Sequence, residues 1–342
     1  MWKYILQRIV LIFITAFIIL SLSFILLKLV PGDNPIGTNE VQKAYFEQQV
    51  LLGYYYKVDN GIGVTSDFSV TINNVVYRYN KFSVMHQYGV WLSAIFTRWD
   101  WGVSSHLSTG STAISIITSR IGVSMKLNIL SMIFSIPLGF LFGITSALKK
   151  NSAYDNVMQT VVMIAVSIPS FVLISYLILL FSFKLQWLPS FFPSPNDTLA
   201  NQAKGYVIPV VCLTFGTIAG FTRYIRAELT EVMSSEFLLL ARTKGLTKSQ
   251  TVMRHALRNS MVPIFPMIIG EFIGILGGSM ILEEIYAIPG IGFLYVNAIS
   301  AKDYNIVMTD MACYTLIGLF ATLIVDLSYG IIDPRIRMGA RK

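Results

Sequence analysis

Residues 9–27 form an unbroken run of 19 residues without a charge. A hydrocarbon core about 30 Å thick needs about 20 helical residues at 1.5 Å each, so this run alone points to a membrane. Comparable stretches recur at 127–148, 157–183 and 205–222, then at 259–282, interrupted by Glu271, and at 305–330, with Asp310 and Asp326 near its ends. The expectation is six spans, with 157–183 long enough to tilt. Composition agrees. Of 342 residues, 54% are hydrophobic and 13% charged, against about 45–50% and about 25% in a soluble domain. That excludes a disordered chain, a nucleic-acid-binding domain and a typical cytosolic enzyme. Two cysteines, Cys212 and Cys313, exclude a disulfide scaffold.

The net charge of +8 sets the orientation. With six spans and the N-terminus inside, 15 of the 26 Lys and Arg fall on the cytoplasmic side. The short outer loops carry only Lys184, Lys204 and Lys302, which follows the positive-inside rule. Both termini are then cytoplasmic in a multi-pass protein of the cell membrane. Residues 285–301 are also uncharged, but a seventh span would put the C-terminal basic cluster outside. They read as an outer hairpin or a re-entrant piece, broken by Pro289-Gly290-Ile291-Gly292. The first run is longer than a signal-peptide core and no small-residue cleavage site follows it, so it reads as an uncleaved anchor. Pro137, Pro169, Pro209, Pro263 and Pro266 lie in or beside spans, as in a bundle with a path through it.

The resulting division is 1–30 for the N-terminus and first span, 31–120 for an extracytoplasmic insertion, and 121–342 for a core carrying a cytoplasmic loop at 223–260. Within the insertion, Phe68, Val70 and Ile72 alternate with polar residues, Asn73-Asn74 follows, and Val75, Tyr77 and Tyr79 alternate again. That is a β-hairpin pattern. The insertion either shields the outer face or docks an outer partner. Trp91, Trp99 and Trp101 suit a membrane–water belt.

Catalytic constellations are missing. There is no Gly-Lys-Ser/Thr to cradle nucleotide phosphates. Gly277-Gly278-Ser279-Met280-Ile281 lacks the last glycine of a nucleophile elbow, and Gly274, Gly277, Gly278 and Ser279 read as a close helix–helix contact. His86, His106 and His255 are scattered, and no metal-ligand spacing results. The expectation is a non-catalytic membrane protein that binds no cofactor, metal or nucleic acid.

The most charged stretch is 223–260. Segment 226–244 reads as helix, Gly245 as its terminating glycine, and Thr247 or Ser249 as the cap of a second helix through His255 to Arg258. Such a knuckle could take a push from a cytosolic partner, or be a solvated positive-inside loop. Glu271 and Asp326 are ionisable groups within spans, costly and functional by default. Asp326 lies near the cytoplasmic end, where pairing with Arg335 or Arg337 is expected ahead of a substrate role. Glu271 either lines a pore or is satisfied by a neighbouring helix. Lys126 snorkels at an outer end.

Ala241-Arg242-Thr243-Lys244-Gly245-Leu246, then Arg254-His255-Ala256-Leu257-Arg258-Asn259 and Pro263, resembles the ATPase-docking loop of ABC importer permeases of the dipeptide/oligopeptide/nickel family. Pro31-Gly32-Asp33, Gln87-Tyr88 with Trp91-Leu92, Asp100-Trp101-Gly102 with Ser104, the 283–292 hairpin and Asp333-Pro334-Arg335-Ile336-Arg337 agree with it in order. The chain departs from the broader Glu-Ala-Ala pattern at Leu239 and Leu240. The long segment after the first span resembles the B-type oligopeptide subunit.

The resemblance implies an all-α polytopic membrane protein of the type I ABC importer permease kind, with six transmembrane helices and an extracytoplasmic insertion carrying the β-hairpin. It implies half of a translocation pore for oligopeptides, or for dipeptides or nickel. It also implies a C-type permease as heterodimer partner, two cytosolic ATPases that hold ATP and Mg, and an extracytoplasmic binding protein. Glu236, Ala241, Arg242, Lys244, Gly245, Leu246, Arg254 and His255 would form the ATPase-coupling loop. A secondary transporter or channel without an ATPase is the competing class.

Overall fold

The computed structural model describes residues 2–30, 37–58, 65–274 and 277–332. The Pro31-Gly32-Asp33 and Asp333–Arg337 stretches of the resemblance lie outside them. The chain divides into two compact units, one of residues 1–119 with 297–316, the other of 120–296 with 317–342.

In the first unit, helix α1 (Trp2–Leu29) carries the first apolar run. Helix α2 (Asn39–Leu51) packs on a sheet of β1 (Tyr55–Val58), β2 (Phe68–Ile72) and β3 (Val75–Lys81), ordered β1-β3-β2 and antiparallel throughout. Asn73 and Asn74 both take positive φ between β2 and β3, which two-residue turns require if they are to match strand twist. The core between α2 and the sheet is aromatic: Phe46, Tyr54, Tyr55 and Tyr79 are buried around Val70. At its rim Glu47 meets Lys57 at 2.6 Å and accepts from Tyr79 Oη. Burial pushes the Glu47 carboxyl up, but these two partners and the charges of Lys57 and Lys43 hold it below its ordinary value.

Helix α3 (Val84–Arg98) is capped by the Ser83 side chain and packs against α1. Trp91 stacks on Phe24 with centroids 4.9 Å apart and meets Trp101 edge-on at 6.4 Å. Trp91 and Trp101 are therefore core residues rather than members of an interfacial belt, and of the three tryptophans only Trp99 is exposed. Buried with them are Met308 and Ala312 of helix α13 (Tyr304–Ile332).

The Asp100-Trp101-Gly102…Ser104 motif gains a purpose here. Asp303 is fully buried just before α13 and accepts from Ser104 Oγ at 2.6 Å and from the backbone N–H groups of Ser105, His106 and Leu107. Asn305 donates to Val103 O at 2.8 Å. Gly102 has φ +87°, and a Cβ there would sit 2.8 Å from the Asn305 side chain. A side chain at 102 is excluded by conformation and by space.

Helix α4 (Ala113–Leu148), most of it in the second unit, has Pro137 inside it. Helices α5 (Ala153–Ser167) and α6 (Ser170–Leu177) meet at 96°, so 157–183 is not one straight tilted span. Pro169 supplies no N–H and pushes the preceding Ile168 into extended backbone, φ −81° and ψ 117°. After α6 a π-helical stretch covers Ile178–Lys184. Helix α7 (Leu199–Met233) extends well beyond the expected span on both sides. Helix α8 (Glu236–Thr243), helix α9 (Lys248–Thr251), a π turn at Val252–Ala256 and helix α10 (Leu257–Gly274) follow. Helices α11 (Met280–Ile285) and α12 (Ile291–Ser300) precede α13.

Among the described residues, four helices are long and apolar enough to cross a membrane, or five if the bent pair counts as one. The sequence count was six. The segment expected as the fifth span is the 18-residue α10, which carries Pro263 and Pro266.

The contact of α4 with α7 uses a small-xxx-small motif. A Cβ at Gly139 would come 2.5 Å from Phe221 Cβ, and one at Gly143 2.7 Å from Ile225 Cβ. Both glycines let the two backbones approach closely. Gly143→Val is expected to destabilise the chain by about 1–3 kcal/mol through overpacking. A lowered thermal midpoint of the purified protein is the check, and an unchanged midpoint would show that the α7 side yields freely.

Candidate functional site

Segment 226–244 is two helices rather than one. Ser234 Oγ bonds Glu231 O at 2.7 Å and Ser235 Oγ bonds Val232 O. Serine hydroxyls that bond the preceding carbonyls compete with the helical ladder, and α7 ends there before α8 begins. Gly245 follows α8 with φ +89°, the left-handed conformation of a terminating glycine. Thr247, not Ser249, caps the next helix. Its Oγ1 accepts from Gln250 N while Gln250 Oε1 accepts from Thr247 N, a reciprocal capping box.

This knuckle is fastened on its apolar side. Leu238 of α8 and Ala256 of the π turn are buried with Ala147, at the end of α4, and Leu229, near the end of α7. Its other side is open: Glu236, Lys244, Gly245, Arg254 and His255 are exposed and Leu246 is half-buried. Ala241 and Arg242 belong to α8 by backbone, and their side chains lie outside the described set.

Two buried carboxylates, one near the knuckle and one at the opposite end of α4, are held by side chains distant in sequence, and the sequence reading missed both as site residues. Asp155 opens α5 and is fully buried. Arg226 of α7 grips it with two bonds, Nε to Oδ1 at 2.6 Å and Nη2 to Oδ2 at 2.7 Å. Asn151 N also donates to Asp155 Oδ2. The pair ties α5 to α7 two turns before α7 ends.

Glu283 of α11 is fully buried as well. Its Oε1 accepts from Ser124 Oγ at 2.7 Å and from Ser279 N, and its Oε2 accepts from Phe293 N at 3.1 Å. The Gly292 N–H adds a further donor, and Ser124 Oγ in turn accepts from Ile291 N. The free N–H groups at the start of α12 are thus satisfied by a carboxylate and a hydroxyl from elsewhere in the chain. Gly278, Gly290 and Gly292 lie so close to this carboxylate that a Cβ at any of them would collide with the cluster or the Met280 backbone. Gly278, at φ +60°, is therefore a turn residue and not part of a helix–helix contact, and a Cβ at Gly274 would meet nothing within 4 Å.

Residues 135–338 match the family model described as the binding-protein-dependent transport system inner membrane component. The chain belongs to that family. The permease is also similar along its full length to curated relatives. It is 32% identical to the dipeptide transport system permease protein DppB of Lactococcus lactis subsp. cremoris, over 99% of this chain and 100% of that one. It is 30% identical to the oligopeptide transport system permease protein OppB of Escherichia coli K12, over 98% of this chain and all of that one. Among solved structures it is similar to a chain of the MetNI methionine ABC transporter in an inward-facing form, with 17% identity, a TM-score of 0.46, and coverage of 63% of this chain and 97% of that one.

The other sequence candidates stay apart from the knuckle. Glu271 is half-buried in α10 and makes no hydrogen bond or ion pair among the described residues. Asp326 is half-buried in α13, and its expected partners Arg335 and Arg337 lie outside the described residues. A readable signal for the missed groups did exist in part. Gly139-x-x-x-Gly143 is a plain small-xxx-small pattern. Glu283 sits at the head of a glycine-punctuated segment, but the partner 159 residues away has no local signature.

Proposed function

We propose that this chain is the membrane-spanning permease subunit of an ATP-driven peptide importer, forming half of the translocation pathway. The observation that carries this is the end-to-end match to dipeptide and oligopeptide permeases. The fastened knuckle supports it. In this reading the six-span topology places both termini and residues 223–260 in the cytoplasm. Two ATPase subunits dock on the knuckle, through the exposed Glu236, Lys244, Arg254 and His255 and through Arg242. Ala241 and Gly245 keep it narrow enough to enter an ATPase groove. A C-type permease completes the pore, and an extracytoplasmic binding protein delivers oligopeptides, with dipeptides as the alternative. ATP and Mg act on the partner subunits.

The mechanics follow from the packing. Because Leu238 and Ala256 are buried against Ala147 and Leu229, a displacement of the knuckle moves the ends of α4 and α7. ATP-driven closure of the partners shifts the pore between inward-open and outward-open states only by as much as their binding differs between those states.

Gly245→Trp is expected to abolish peptide uptake while insertion stays intact. A side chain at φ +89° strains the turn, and an indole there obstructs docking. The measurement is ATP-dependent uptake of a labelled dipeptide and a labelled pentapeptide in proteoliposomes containing the co-purified subunits. Normal uptake by the variant, or uptake by the isolated chain without ATP, would overturn the reading. The two peptides separate the substrate alternatives.

A further inference from the structure

Helix α3 has three faces, and only one of them is accounted for by the fold. Gln87, Trp91 and Ile95 are buried and form the face that packs inward. His86, Ser93 and Thr97 make a polar, exposed face. Met85, Leu92 and Phe96, with Trp99 just beyond the helix, follow positions i, i+7, i+11 and i+14 and share a third stripe. Along it Met85 is 67% exposed, Phe96 75% and Trp99 66%. A water-facing helix with one buried face would carry polar residues there.

The position of α3 says what covers the stripe. Tyr88 Oη and Ser21 Oγ are 2.7 Å apart, Trp91 stacks on Phe24, and Leu20 and Leu27 of α1 pack on the same cluster. Ser21 lies eight residues before the end of α1 at Leu29. At 1.5 Å per residue that is about 12 Å along the helix, within the depth of one leaflet of a core about 30 Å thick. Around it, Leu22 and Leu26 of α1 are exposed, as a lipid-facing span requires. The apolar stripe of α3 thus continues the bare flank of a membrane span. An apolar stripe beside a polar one, with tryptophan at one end, is the arrangement of a helix lying in the boundary of a bilayer.

We propose that α3 is embedded in the leaflet holding the C-terminal half of α1. Met85 and Phe96 lie among acyl chains, the half-buried Leu92 between them packs back on the Phe24–Trp91 cluster, and Trp99 sits at the headgroup level. The 31–120 segment is then not wholly a water-facing insertion: its α2–sheet part is carried on a helix resting in lipid. A second protein chain over the stripe is the rival occupant.

The test uses site-directed spin labels in the full chain, isolated with its accompanying subunits and placed in phosphatidylcholine liposomes. Cys212 and Cys313 are first changed to Ala. Labels are placed at Phe96→Cys, at Met85→Cys as a second lipid-side position, and at Ser93→Cys on the polar face. Collision with dissolved oxygen, which concentrates in acyl chains, is compared with collision with a water-soluble nickel chelate. The expected oxygen-to-chelate ratio is above one at 85 and 96 and reversed at 93. A chelate preference at 85 and 96 would place the stripe in water, and access by neither reagent would place it under a protein chain. Either result overturns the proposal.

Discussion

Asp155→Ala is expected to destabilise the second unit by about 3 kcal/mol, the low end for breaking a buried ion pair. The loss arises because Arg226 is left with its guanidinium beside an emptied acceptor, with only 23% of its side chain exposed to water. The bidentate geometry makes the bond specific as well as strong. Asp155→Asn keeps the shape and one acceptor oxygen, so it should cost less than the alanine variant. The double replacement Asp155→Leu with Arg226→Met removes both charges together and should recover much of the loss. Thermal midpoints of these variants, of the wild type and of the Asp155→Leu and Arg226→Met singles measure this. If all the single variants melt with the wild type, the clamp between α5 and α7 does not stabilise the fold. If the loss in the double variant is simply the sum of the losses in the Asp155→Leu and Arg226→Met singles, the two residues act separately.

Glu283→Ala should be at least as severe. It removes the acceptor for Ser124 Oγ and for the backbone N–H groups of Ser279, Gly292 and Phe293 at once. Hydrogen bonds to a charged group contribute about 1.5–3 kcal/mol each, and buried donors left bare cost a further share. A net loss of about 3–5 kcal/mol is the expectation after some water enters the space. Glu283→Gln retains one acceptor oxygen but turns an NH2 group toward donors, so it should fall between wild type and alanine. Amide hydrogen exchange over residues 286–300 is the direct readout. Exchange should quicken at Ile291, Gly292 and Phe293 first, in the order Gln then Ala. Unchanged protection in the alanine variant would mean that α12 does not need its distant cap.

Several local decisions were legible in the sequence. Gly245 ends α8 because a terminating glycine adopts positive φ at no steric cost. Thr247 caps the next helix because Gln250 lies three residues on. The eight loop residues proposed for coupling fall in one contiguous knuckle, and those with described side chains are on its open side or at its edge. Other local features were readable but misjudged. Ser234 and Ser235 break the expected 226–244 helix by bonding backward to the chain. Pro169, noted only as a proline beside a span, turns the third apolar stretch through 96°. Apolar length alone sees both as continuous.

Trp91 and Trp101 show a different limit. Their type suits an interface, and burial against Phe24 and Met308 overrides that preference. Burial depends on which elements meet, and a residue's own neighbours in sequence do not report it.

The sequence by itself determined the solvent and the segmentation: long uncharged runs leave a bilayer as their only stable surroundings, and basic residues, glycines and capping side chains mark where those runs end. Only the tertiary structure decided where the buried carboxylates go. Asp155, Glu283 and Asp303 find partners 71, 159 and 199 residues away. A buried charge must be matched in space, and in a folded chain the matching donors are those brought near by packing rather than by sequence spacing.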